Sequence, residues 1–140
     1  MAALGVVPTG DDEMSIYYSQ HYAQPSHHIV RCTLRTDGFV SVNGPYSGGR
    51  LVTKPFTFSG DQLLMNYSTG AGGGLRVELQ DGEGKPIDGY TLDDCPKIVG
   101  DKIDGPITWK EADVAALKGH PVRLCVELHD ADLYSFQFAP

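Results

Sequence analysis

Period two dominates this chain. Leu75, Val77 and Leu79 alternate with Arg76, Glu78 and Gln80. Val122, Leu124, Val126 and Leu128 alternate with Arg123, Cys125, Glu127 and His129. Leu63, Met65 and Tyr67 alternate with Leu64 and Asn66, and Tyr134, Phe136 and Phe138 alternate with Ser135 and Gln137. A strand sends successive side chains to opposite faces, so each run predicts a strand with one apolar and one polar or mixed face. Two sheets packed face to face cover such apolar faces. The predicted fold is all-β, an antiparallel β-sandwich.

Glycine-rich segments separate the runs. NGPYSGG (43–49) is expected to split two strands, and STGAGGG (68–74) to join the Leu63 strand to the Leu75 strand. DGEGKP (81–86) carries the Asp-Gly signal of a tight turn. One short helix of one or two turns is predicted over 110–118, where good helix formers run up to Gly119. The longest irregular stretch is 88–106. A loop of that length in a compact domain is usually functional or pinned by packing. Ile107 and Trp109 share a strand face, and Trp109 is expected in the core. Near the N-terminus, 14–20 fits a strand, 21–28 a connection broken at Pro25, and 29–35 a second strand.

Composition narrows the function classes. The chain has 140 residues, one domain's worth, and its 17 glycines and nine prolines fit a fold with many turns. A net charge of −7 argues against nucleic acid and against a basic membrane-binding patch. No apolar run approaches the roughly 20 residues of a spanning helix. MAALGVVPTG is too short and lacks the basic start of a signal peptide, so a soluble chain is expected, with any export signal outside it. Cys32, Cys95 and Cys125 are odd in number and not at zinc-like spacing. They read as isolated small hydrophobes, with at most one bridge among them.

MSIYYSQHYAQPSHH (14–28) concentrates three histidines and three tyrosines. A metal centre needs converging ligands. In a strand His27 and His28 face opposite sides, so only one of them joins His21, and no HExxH spacing is present. Strand and connection are the expected roles. There is no G-x-S-x-G elbow and no Cys–His framework, and no catalytic residue is assigned. Asp94, Asp101, Asp130 and Asp132 are the candidate ligands for a structural calcium ion. The competing reading is that these aspartates cap turns.

Sugars offer C–H faces to aromatic rings and hydroxyls to polar side chains. Two surfaces suit them. One is a polar sheet face with Asn66, Arg76, Glu78, Arg123, Glu127 and His129. The other is a loop rim with Tyr46, Tyr90, Asp93 and Asp94. The competing reading pairs Arg76 and Arg123 with Glu78 and Glu127 across strands.

Several unlike segments, in order, carry a family resemblance. They are LRTDGFVSV, GGRLVTKPFTFSGDQLLMNYSTGAGGGLRVELQD, GYTLDDCPKIVGD and ITWKEADVAALKGHPVRLCVELHDADLYSFQF. Together they resemble the jelly-roll-like β-sandwich that follows the five-bladed propeller in proteins related to family 32 and family 43 glycoside hydrolases. The preceding LGVVPTGDDEMSIYYSQHYAQPSHHIVRCTLRTDG resembles the closing strands of that propeller, with TGDDEMSIYY in place of a TGDE-like turn and a strand ending in YY. The resemblance implies two parts: 1–35, remnant propeller strands and linker, and 36–140, the sandwich. It implies no activity, since the catalytic carboxylates of that architecture belong to blades outside this chain. The expected function is a non-catalytic carbohydrate-binding module accessory to a glycoside hydrolase. The alternative is a purely structural domain that stabilises an adjacent propeller. Expected partners are carbohydrate, the parent propeller, and a second copy held weakly through the N-terminal strands if the chain is not monomeric. No cofactor is expected beyond calcium, and the location implied is extracellular or periplasmic.

Overall fold

The computed structural model describes residues 5–140, and residues 1–4 of the propeller-like segment lie outside them. Backbone contacts divide the chain into two compact units that meet between Phe39 and Val40. The first holds an antiparallel sheet of order β1-β2-β3, with β1 at Val7–Pro8, β2 at Glu13–Gln20 and β3 at His28–Arg35. The second is also antiparallel, with β4 (Val42–Gly44), β5 (Gly49–Val52), β6 (Gln62–Asp81), β7 (Asp101–Ile107) and β8 (Val122–Ala139). The chain is all-β and sandwich-like, as the period-two pattern predicts. Among the described residues the one helical turn is a 3₁₀ segment at Val114–Leu117, started by the Asp113 side chain accepting from the Ala115 N–H. Gly119, at φ 77°, follows its end.

In the first unit β2 and β3 form the predicted hairpin, in register from Glu13 opposite Arg35 to Gln20 opposite His28. Its turn uses left-handed backbone at His21 and Ala23. Ser15 is fully buried and bonds Thr9 Oγ1 at 2.7 Å, while Arg31 Nε donates to Ser15 Oγ at 2.8 Å. Arg31 also pairs with Glu13. Tyr17 and Tyr18 are half-buried, and Tyr22 is exposed.

The second unit differs from the expected layout in one respect. A single hydrogen-bonded sheet, β4-β8-β6-β7 with β5 also on β8, serves in place of two separate sheets. STGAGGG is not a turn between strands but lies inside β6. The runs at 122–128 and 134–138 are likewise one strand, β8. These two strands pair along both halves: 62–69 with 139–131, and 74–81 with 129–122. Between the halves β6 spends residues 70–73 where β8 spends only Asp130. Such a bulge bends a strand without ending it. A Cβ on Gly73 would lie 2.2 Å from the Asp130 carbonyl oxygen, so the bulge needs glycine there. Glycine clusters signal turns and bulges alike in a sequence, which is why the two strands read as four.

Both halves face one core. Leu63, Met65, Leu75, Val77, Leu79, Leu124, Val126 and Leu128 are 1% exposed or less. Phe58 stacks on Phe138 at 3.9 Å between ring centroids. Trp109 and Ile107 lie in this core, as their shared face predicts.

The outer edge of β6 carries β7 along its first half. Asp101–Ile107 is therefore a strand within the stretch expected to be irregular, and the rest of that stretch is pinned to the same edge. Leu75 and Ile98 exchange backbone hydrogen bonds, and Leu79 N–H donates to the Tyr90 carbonyl. Between them, Val77 N–H donates to Cys95 Sγ at 3.3 Å and the Val77 carbonyl accepts from Trp109 Nε1 at 3.0 Å. An edge whose donors and acceptors are occupied cannot recruit another strand. Truncating Leu124 to Ala removes a fully buried side chain near the start of β8. The expected loss is about 2–5 kcal/mol, read as a lower urea midpoint with an unchanged slope.

Candidate functional site

The bulge opens a shallow cleft on the face opposite the core. One part, of about 210 Å³, is lined by Gly74, Leu75, Arg76, Lys97, Glu127 and His129. A second part, of about 280 Å³, is lined by Tyr46, Gly72, Lys97, His129 and Asp130. Lys97 and His129 line both, so the two parts adjoin. Period two places the walls: Arg76 stands opposite Glu127, and Gly74 opposite His129, in the β6–β8 register. Arg50 of β5 stands opposite Glu127 on its other side. The β4–β5 turn supplies Tyr46 and is closed by Gly48 N–H donating to the Pro45 carbonyl at 2.8 Å.

Glycine makes room for the polar groups. A Cβ on Gly48, whose φ is 90°, would lie 2.4 Å from the His129 ring. A Cβ on Gly74 would lie 2.3 Å from Lys97 Cε. Tyr46 is 84% exposed, so its ring is an open platform at one end of the cleft. At the other end Arg50 Nη2 lies 3.5 Å from Glu127 Oε1, His129 Nε2 lies 4.0 Å from Glu127 Oε2, and Arg76 Nη1 lies 3.7 Å from Asp93 Oδ1. Lys97 Nζ donates to the Gly72 carbonyl at 3.1 Å.

Four of the residues expected to contact sugar converge here: Tyr46, Arg76, Glu127 and His129. Asp93 lies beside Arg76. The others are elsewhere. Asn66 is 2% exposed and hydrogen-bonded, so it is not on an open face. Glu78 is buried under the 91–93 loop and accepts from Gln80 Nε2 at 2.8 Å and Leu92 N–H at 3.4 Å. Tyr90 is in the core against Trp109 and not on a rim, with its hydroxyl donating to the Asp113 carbonyl at 2.7 Å. Arg123 donates to the Gly82 carbonyl at 3.2 and 3.0 Å and closes the 81–86 turn. Lys97 was not singled out by the sequence pattern. It follows Pro96 in irregular backbone, where period two says nothing about facing.

The four candidate calcium ligands do not come together. Among the described residues, no three His, Cys, Asp or Glu side chains converge on one point. Asp94 accepts from Thr91 Oγ1 at 2.7 Å and caps a turn. Asp132 accepts from Ser41 Oγ at 2.7 Å and Asn43 Nδ2 at 3.1 Å, tying the start of β4 to β8. Asp130 occupies the bulge, and Asp101 opens β7 opposite Ser68. In the β2–β3 turn, His21 Nδ1 bonds Ser26 Oγ and His28 Nδ1 bonds the Ser26 carbonyl, both at 2.9 Å. Their rings meet edge to face, as do those of Tyr22 and His27.

The three cysteines are free. Burial pushes the Cys95 and Cys125 thiols up, away from the reactive thiolate. Among the described residues no helix is long and apolar enough to cross a membrane. No family model matches this chain, and neither a curated protein nor a solved structure matches it significantly.

Two measurements check these assignments. Cys32, the exposed cysteine, is expected to react rapidly with a thiol reagent in the native protein, and Cys95 and Cys125 only after denaturation. The second concerns acid. The Thr91 hydroxyl, with the Thr91 N–H and Lys110 in support, holds the Asp94 carboxyl below the usual carboxylate range. The N–H groups of Lys85, Glu83 and Gly84 do the same for Asp81. A depressed folded-state pKa adds stability that is present above the unfolded value of about 4 and lost as pH falls through the folded value. Melting temperature should therefore drop below about pH 4, and Thr91→Val should raise the Asp94 pKa in an NMR titration.

Proposed function

We propose that the Val40–Pro140 unit is a non-catalytic carbohydrate-binding module, accessory to a glycoside hydrolase. The observation that carries this reading is the cleft itself, where the exposed Tyr46 ring adjoins Lys97, His129, Arg76 and Glu127. An aromatic platform stacks on the C–H face of a sugar ring. Guanidinium, ammonium, imidazole and carboxylate groups then pair with its hydroxyls. The cleft is open, and an open cleft admits the interior of a polymer as well as its end. Such a module holds its parent enzyme near substrate and raises local concentration.

A second reading, a structural domain that stabilises an adjacent propeller, is favoured by the first unit. Among the described residues β3 pairs only with β2, and its Ile29 is exposed. An open strand edge of that kind suits a neighbouring strand from a blade or a second copy. Affinity electrophoresis of the chain against a panel of plant, algal and animal polysaccharides separates the readings. Retardation by at least one polymer is expected. Tyr46→Ala should weaken it about tenfold, a loss of roughly 1.4 kcal/mol, without lowering the melting temperature. No retardation by any polymer rejects the binding module and leaves the structural domain.

A further inference from the structure

The part of the cleft of about 210 Å³ is lined by two cations, Arg76 and Lys97, and one carboxylate, Glu127, in a chain whose net charge is −7. Its charged row runs Arg50, Glu127, Arg76 across three strands, one carboxylate between two guanidinium groups. Glu127 already has Arg50 Nη2 at hydrogen-bonding distance, 3.5 Å away. Among the described residues Arg76 has only Asp93, 3.7 Å away and with a side chain 96% exposed, which is beyond hydrogen-bonding distance and screened by water. Lys97 rests on a backbone carbonyl and, among the described residues, has no carboxylate within 4.0 Å. The remaining acid, Asp130, lines the Tyr46 part of the cleft, as Lys97 also does, and not the part that holds Arg76.

We infer that the cleft takes an acidic glycan, with a uronate carboxylate or sulfate ester seated between Arg76 and Lys97 while Tyr46 stacks on a neighbouring ring. This rests on the carbohydrate reading above and adds the ligand's chemical class. Arg76 and Lys97 line the same 210 Å³ part of the cleft, on β6 and on the loop pinned to the edge of β6. A guanidinium and an ammonium aimed into one concavity suit an anionic oxygen group better than neutral hydroxyls, because charge-assisted hydrogen bonds are about twice as strong as neutral ones. Tyr46 and Arg76 line different parts of the cleft, and Lys97 and His129 line both, which suits an oligosaccharide or polymer that occupies the two parts together.

The test measures binding of the whole chain to alginate, polygalacturonate, hyaluronan and chondroitin sulfate. Each uronate polymer is compared with its carboxyl-reduced form, and chondroitin sulfate with its desulfated form. The expected result is at least one charged polymer bound about tenfold more tightly than its neutralised counterpart. That preference should shrink between roughly 50 and 500 mM NaCl. Arg76→Gln and Lys97→Gln should each reduce the preference while leaving residual binding to the neutral form, and Tyr46→Ala should weaken both forms alike. Equal binding of charged and neutral forms overturns the acidic class and leaves the carbohydrate module standing. Loss of charged and neutral binding alike in the Lys97→Gln variant, with the fold intact by circular dichroism, also overturns it. Binding of neither form of any polymer overturns both proposals.

Discussion

The pairing of β6 with β8 is the interaction on which the rest of the second unit depends. These two strands hydrogen-bond to each other through both halves of the sheet. Every other strand of that unit is attached to one of them: β4 and β5 to β8, and β7 to β6. The pairing satisfies most inward backbone groups of two long strands at once, which a buried strand must do. It also sets the facing. Because side chains alternate with period two, one register places Leu75, Val77, Leu79, Leu124, Val126 and Leu128 together on the core side. The same register leaves Arg76, Glu127 and His129 together on the other.

The bulge converts that pairing from a ladder into a site. With four residues on β6 against one on β8, the ladder is interrupted between Thr69 and Gly74. Glycine gives the bulge backbone room to approach Asp130, and Gly48 and Gly74 leave space that His129 and Lys97 fill. The polar groups of the cleft are therefore held by the most regular part of the fold and exposed by its least regular part. The covered edge of β6 completes the design. Cys95 and Trp109 occupy the Val77 backbone groups, and this anchors the 88–100 loop so that Lys97 reaches the same cleft as Arg76.

Legibility followed the range of the physical signal. Strand faces were legible because alternation is local, and the apolar runs at 63–67, 75–79 and 122–128 all lie where period two puts them. Trp109 was legible through Ile107, its partner on the same face. The bulge was not, because STGAGGG has the composition of a turn and only its pairing partner distinguishes the two. β7 was missed because Asp101, Asp104, Gly105 and Pro106 look like a loop, yet an edge strand tolerates proline and charge. Asn66, Glu78 and Tyr90 have the chemistry of contact residues, and their burial depends on segments distant in the chain. Glu78, for example, is covered by the loop that presents the Leu92 N–H.

What the sequence determined by itself was the all-β class of fold, the facing of the runs at 63–67, 75–79 and 122–128, one short helical turn, and a hairpin of strands near 14–20 and 29–35. All of these rest on interactions between residues close in the chain. The run at 134–138 instead shifts register, so that Leu133 turns inward and Phe136 is exposed. What only the tertiary structure decided was which polar residues share a surface. Tyr46, Lys97 and His129 are far apart in sequence and meet because the β6–β8 pairing and the bulge at 70–73 bring their strands and loops together. Facing is encoded locally by alternation, whereas convergence depends on which strand lies beside which, and that is settled by burying one core with its backbone hydrogen bonds satisfied.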